Sequence, residues 1–237
     1  MNSIRRCLAA ILLTPLFAAP SLTFAQMAAP KAAPSSETRT GKRDQRPESS
    51  VLTPLQRQTL AQPYRPITSR QRLRWFVTST VGPSHLLGGG IFSAAVGTAL
   101  NRPKEYGPGW GGFGDRFGMR LTGISTGNAM EAAVGSFWGE DPRYFAASTE
   151  PIRRRALNVV KQTFEARRRG GNFAPAYARY FAVTGNNFLS NTWRTDSEAN
   201  VHDALIRTAE GFAGRMAANA YEEFWPQVRN HFFHRKR

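Results

Sequence analysis

From residue 51 to the C-terminus, apolar and polar positions seldom alternate and β-branched residues seldom cluster, whereas apolar residues recur at the three-to-four-residue spacing of helices. The pattern predicts an all-α body, a compact bundle of about five to six Gly/Ala-rich helices. A short first helix is expected from Thr53-Pro54 to near Ala61, with Thr53 as cap and Pro54 at the first helical position. A second follows Thr68-Ser69 and carries RQRLRWFVTSTV. Its stripe is Leu73, Phe76, Val77 and Thr80, its remaining face holds Arg70, Arg72 and Arg74, and Gly82-Pro83 stops it.

Pro83 to Leu100, PSHLLGGGIFSAAVGTAL, contains no formal charge. Its length would just allow a membrane-embedded helix, but three consecutive glycines together with Ser84, His85, Ser93 and Thr98 make it weakly hydrophobic. We expect instead a buried helix whose glycines admit a close neighbour. The breaker-rich NRPKEYGPGWGG then leads into a long helix from about Gly111 to Trp138. Gly111, Gly114, Gly118, Gly123 and Gly127 recur along it at helical spacing. Each glycine costs about 1 kcal/mol of helix propensity relative to alanine, so tight helix contact is expected along that face.

The nine residues FWGEDPRYF, 137 to 145, follow as a corner. Thr149 caps the next helix, TEPIRRRALNVVKQTFEARRRGG, with Pro151 near its start. Its expected buried stripe is Ile152, Ala156, Val159, Val160 and Phe164. Arg167, Arg168 and Arg169 suit its C-terminal dipole, and Gly170-Gly171 end it. Arg153, Arg154 and Arg155 oppose the N-terminal dipole, which points to an anionic partner or to Glu150 as local counter-charge. Residues 174 to 193 set Tyr177, Tyr180, Phe181, Val183, Phe188 and Trp193 around the amides Asn186, Asn187 and Asn191. The last helix, capped by Ser197 or Asp196, carries Val201, Leu205, Thr208, Phe212, Met216, Ala220 and Phe224. It reaches Trp225-Pro226 and is expected to break there.

The N-terminal end changes the picture of compartment. A basic start ending in Arg5-Arg6, the apolar run CLAAILLTPLFAAPSL and Thr23-Phe24-Ala25 read as a secretory signal peptide over residues 1–25. An uncleaved anchor is the rival reading, against which Pro15 and Pro20 interrupt the run. Residues 26–50 are rich in Pro, Ala, Ser and charge and read as a disordered tether, leaving 51–237 as a single helical domain. Cys7 is the only cysteine, so the chain beyond the signal forms no disulfide and carries no cysteine nucleophile or metal ligand.

Charge is the strongest compositional signal. Of 32 Lys+Arg and 16 Asp+Glu, the signal holds two arginines, and residues 26–50 hold five basic and three acidic side chains. The body keeps 25 and 13, a net of +12, with only Lys104, Lys161 and Lys236 as lysines. Arginine favours forked contacts to phosphate or carboxylate. Export disfavours nucleic acid and leaves an anionic membrane surface, an anionic envelope polymer or an acidic protein as the expected partner. Arg116, Arg143, Arg153, Arg154 and Arg155 are the candidate anion-binding residues.

The motifs EYGPGWGGFGDRFG (105 to 118), EDPRYF (140 to 145) and EEFWPQV (222 to 228) occur in an order that resembles a group of exported bacterial proteins with no assigned activity. The resemblance covers roughly residues 70 to 230. It implies envelope localisation, in the periplasm or outer envelope, and no cofactor or catalytic residue.

Candidate chemistry is sparse. Glu140 and Asp141, with Asp115 or Glu131 as a further carboxylate, are candidates for an acid/base pair in an envelope hydrolase, yet sequence neighbours seldom face one substrate from opposite sides. The structural alternative has Asp141 turning the chain before Pro142, Arg143 pairing with an acid or with helix carbonyls, and Tyr144 and Phe145 anchoring the corner. His231 and His234 have ligand-like spacing but lie in a basic tail, so no metal site is expected. No phosphate loop occurs, and Ser125 and Ser136 lie in helical patterns rather than at a strand-to-helix nucleophile elbow. The expected function is therefore non-enzymatic, structural or binding.

Overall fold

A capping box opens the first described helix. Thr68 Oγ1 accepts from the Gln71 amide at 3.3 Å, and Gln71 Oε1 accepts from the Thr68 amide at 3.1 Å. This starts α1, Ser69–Val81, which ends as the Gly82 amide donates to the Thr78 carbonyl. The computed structural model describes residues 58–233, all within one compact unit. The signal peptide, the tether and most of the helix expected from Thr53 lie outside the described residues. Where that helix would have ended, Gln58–Thr59 instead forms a strand, β1.

The helical expectation holds: the described residues are mostly helical, with six helices and little strand. The uncharged run forms α2, built from Pro83–His85, a π-helical stretch Leu86–Phe92 and Ser93–Ala99. It is not the buried helix expected, since among its described side chains only Gly90 and Ala94 are buried. A Cβ at Gly90 would lie 3.0 Å from Phe117, and one at Gly89 3.3 Å from Ile124, so these two glycines seat α2 on its neighbour. Gly88 faces open space.

That neighbour is α3, Gly109–Trp138, the spine against which α1 and α2 pack. The expected tight glycine face does not form along most of this helix. A Cβ at Gly111, Gly114, Gly118 or Gly123 would meet nothing within 4 Å, whereas Gly127 lies close to Asn186, and the tight positions at the two ends are Gly112 and Gly135. At Gly139 the helix terminates in the left-handed conformation, φ 69°.

Two further differences lie beyond the corner. The arginine-rich helix, α4, spans only Ile152–Phe164, because Glu165–Arg168 leaves it as a strand. This strand, β4, lies between β2 (Glu140–Asp141) and β5 (Phe173–Pro175), antiparallel to both. β1 pairs in parallel with β3, Phe145–Ala146. The inward face of α4 is also not the apolar stripe. Val159 is buried, but beside it lie Arg155, Asn158, Gln162 and Thr163, while Ile152 is 74 % exposed and Val160 and Phe164 also face outward.

α5, Tyr177–Leu189, packs on α3 and buries Ala178, Arg179 and Ala182. α6, Val201–Phe233, packs on α4 and α5 and continues through Pro226 without the expected break. Its cap is Asn200 rather than Ser197 or Asp196, because Asn200 Oδ1 accepts from the Asp203 amide at 2.9 Å. The apolar core is small: among the described residues, only Trp75, Pro142, Tyr144, Phe145 and Val159 are buried apolar side chains larger than alanine. Met216, Ala220 and Phe224 of α6 pack on the cluster of Tyr144, Ala146 and Val159.

The glycines separate cleanly in what substitution will do. Gly139→Ala is expected to lose about 1–2 kcal/mol, because the residue is left-handed and its Cβ would press on Arg169. Gly114→Ala, exposed and uncrowded in mid-helix, is expected to gain about 0.5–1 kcal/mol. Urea unfolding of the two variants measures both.

Candidate functional site

FWGEDPRYF is where most elements meet. Gly139 releases α3 and Glu140–Asp141 pairs with β4. Asp141 Oδ1 then accepts from the Arg143 amide at 3.1 Å, an Asx-type turn around Pro142. Arg143 answers an acid inside the fold: its Nε and Nη2 donate to Asp141 at 2.9 and 2.6 Å, and Nη2 also donates to the Arg65 carbonyl. Tyr64 donates to the same carboxylate at 3.2 Å. Burial, and then the Asp141 charge, push the Tyr64 phenol up to about 12. Gln162 and Asn158 of α4 donate to the Phe145 carbonyl, and Gln162 Oε1 accepts from the Phe145 amide.

Three of the four candidate carboxylates gather. Glu131, Glu140 and Asp141 line one cleft, too narrow to admit a water molecule. Glu131 accepts from Arg179 at 3.0 Å and also pairs with Arg215. Glu140 approaches Arg168 at 3.1 Å and accepts from the Ala178 amide at 2.9 Å. Each acid is thus matched by a guanidinium. Asp115 is exposed near the start of α3, sixteen residues and so about 24 Å of helix from Glu131.

The candidate anion-binding arginines divide by burial. Arg116 donates to the carbonyls of Arg102, Pro103 and Gly107 and to Asn101 Oδ1, tying down the loop before α3. Arg143 and Arg155 are likewise buried with internal partners. Arg153 and Arg154 are exposed, and Arg154 pairs with Glu150 at 3.0 Å, the local counter-charge anticipated for this turn. His231 and His234 fall outside the residues whose side chains are described. Among the described residues, no group of three metal-ligating side chains converges.

Sequence reasoning missed Glu223, one of the most deeply buried side chains. Its carboxylate accepts from Arg155 Nε at 2.7 Å, from the Tyr144 hydroxyl at 2.7 Å and from the Ala147 amide at 3.0 Å. Burial pushes this carboxyl up, but Arg155, Tyr144 and Ala147 together outweigh it and hold it below its ordinary value of 4.5. The available signal was positional: Asn219 and Glu223 follow the same helical step as Met216 and Ala220, one residue before Phe224. Arg179, Arg215 and Arg168, which serve the other acids, carried no such signal.

An open groove of about 610 Å³ lies on the other side of the corner, between α1 with the segment before it and α3. Leu73, Phe76 and Ile67 face Ala129, Ala132 and Ala133 across it, and Tyr64, Arg72, Ser136 and Arg169 also line it. Arg72 Nη2 donates to the Glu140 carbonyl at 2.6 Å, so the groove and the buried acids share a wall.

Set against models of protein families, curated proteins and solved structures, the chain matches none of them.

The Glu223 cluster generates a pH-dependent test. A depressed folded-state pKa means that its stabilisation is complete above the ordinary value of 4.5 and is lost as pH falls through the folded-state value. Glu223→Gln is expected to lose about 3–5 kcal/mol at pH 7, as Arg155 is left buried without its charge partner. The gap from the parent chain should narrow in denaturant unfolding series carried below about pH 4.

Proposed function

We propose that this protein is an exported, non-enzymatic component of the cell envelope that lies on a membrane surface. The observation that carries this reading is the outer face of α2. Leu87, Phe92 and Leu100 are 61, 67 and 64 % exposed, Ile91 and Val96 are exposed between them, and no charged residue occurs from 83 through 100. An uninterrupted apolar face of this kind marks an interaction surface. Beyond its end stand Arg102, Lys104 and Trp110, all exposed, with Trp110 at 88 %. Aromatic and basic residues flanking an apolar helix suit the level of lipid headgroups.

Among the described residues, no helix is long and apolar enough to cross a membrane. A helix lying in the interface, its apolar face entering the acyl boundary, fits these dimensions. An anionic polymer alone would leave the apolar face without a role, which favours the membrane among the anionic partners. The hydrolase alternative finds no supporting geometry in Glu140 and Asp141, since both are matched by arginines around a cleft too narrow for water.

Co-sedimentation with vesicles tests the proposal. The chain from residue 26 is expected to bind phosphatidylglycerol-containing vesicles, with added salt weakening the binding without abolishing it. The doubly substituted Leu87→Gln, Phe92→Gln protein is expected to bind at least about tenfold more weakly, the equivalent of 1.4 kcal/mol. A chain that stays in the supernatant with anionic and neutral vesicles alike, or whose binding ignores the double substitution, would falsify the reading.

A further inference from the structure

The groove between α1 and α3 differs in kind from the α2 face. Its volume of about 610 Å³ falls within the range of small-molecule sites, roughly 300–1,000 Å³. Its floor exists because α3 presents alanines at 129, 132 and 133, one turn apart on one face, opposite Leu73 and Phe76. Large side chains there would fill the space left between α1 and α3. At one end the apolar walls give way to two cations. Arg169 is exposed, reaches the Ser136 carbonyl at 3.3 Å and pairs with no carboxylate among the described residues. Arg72 is half-buried and held by backbone carbonyls. Burial disfavours the Arg72 charge most; Asp141 opposes this, and Arg143 and Arg169 add to it. Two guanidiniums that repel each other at the mouth of a groove lined by no acid are relieved by an incoming anion.

We infer that this groove takes a single-chain anionic amphiphile, its carboxylate or phosphate head between Arg72 and Arg169 and its hydrocarbon chain between α1 and α3. Forked guanidinium contacts suit either head. The apolar length beyond the arginines separates this ligand from a free anion, which would use one end only. The site uses no side chain of the α2 face, so vesicle binding and groove occupancy fail or succeed separately.

Calorimetric titration below the micellar range tests the assignment with three probes: oleate, oleoyl lysophosphatidic acid and oleyl alcohol. One saturable site per chain is expected for at least one anionic probe, with the alcohol at least tenfold weaker. The tighter of the two anionic probes identifies the head as carboxylate or phosphate. Arg169→Gln is expected to weaken the anionic probes tenfold or more while leaving the alcohol unchanged. Ala133→Phe, at an exposed helical position, is expected to fill the groove and abolish binding. Ala129→Leu serves in its place if that chain unfolds at a lower urea concentration. Equal affinity for oleate and the alcohol, unsaturable uptake, or binding indifferent to both substitutions would overturn the inference. So would a shift from dimer to monomer in Ala133→Phe without any effect of the probes, which would give the groove to a second copy of the chain.

Discussion

Glu131, Glu140, Asp141 and Glu223 are withdrawn from water, and each meets a guanidinium brought from another element or across a tight turn. A buried carboxylate left alone would be destabilising by several kcal/mol, so each acid confines the elements that can surround it. Glu223 of α6 joins Arg155 of α4 to the corner through Tyr144 and Ala147. Glu131 of α3 joins Arg179 of α5 to Arg215 of α6. Glu140 draws Arg168 of β4 and the first turn of α5 together. With a core whose buried apolar side chains are mostly alanine, these pairs specify which helix faces which in a way that non-directional apolar contact does not.

The same pairs explain where the apolar side chains went. On α4, Arg155, Asn158 and Gln162 turn inward to serve Glu223 and the Phe145 backbone. Ile152, Leu157 and Val160 are left outside as a consequence. α2 is seated on α3 through its glycines, so its large side chains also point away from the protein. Under the proposed membrane reading, this apolar area and the basic balance of the chain are the features that an anionic, apolar surface would meet.

The corner FWGEDPRYF was legible in the sequence to a useful degree. Trp138 closes a long helix, Gly139 releases it, and the Asp-Pro step turns the chain, all because local backbone chemistry allows little else there. The caps of α1 were legible for the same reason. The buried face of α4 was not, because periodicity announces that a helix has two faces and leaves open which of them a polar interior will require. Nor was the departure of Glu165–Arg168 into a strand, since that stretch reads as helix until Glu140 and Asp141 offer it a ladder and a counter-charge. Glu223 lies 76 residues from the Ala147 amide it receives, and no spacing rule connects them.

Local sequence by itself determined the all-α class, the long spine, the helix stops at Gly82 and Gly139 and the uncharged helix from 83 onward. Each of these depends on interactions within a few residues, where dihedral preference and capping decide. Tertiary structure alone decided that the carboxylates at the corner are held by arginines, that α4 turns its polar face inward, and that α2 shows its apolar face to the outside. Those outcomes follow from the long-range desolvation of charge, whose sign at any one helix face depends on what the rest of the chain has buried opposite it.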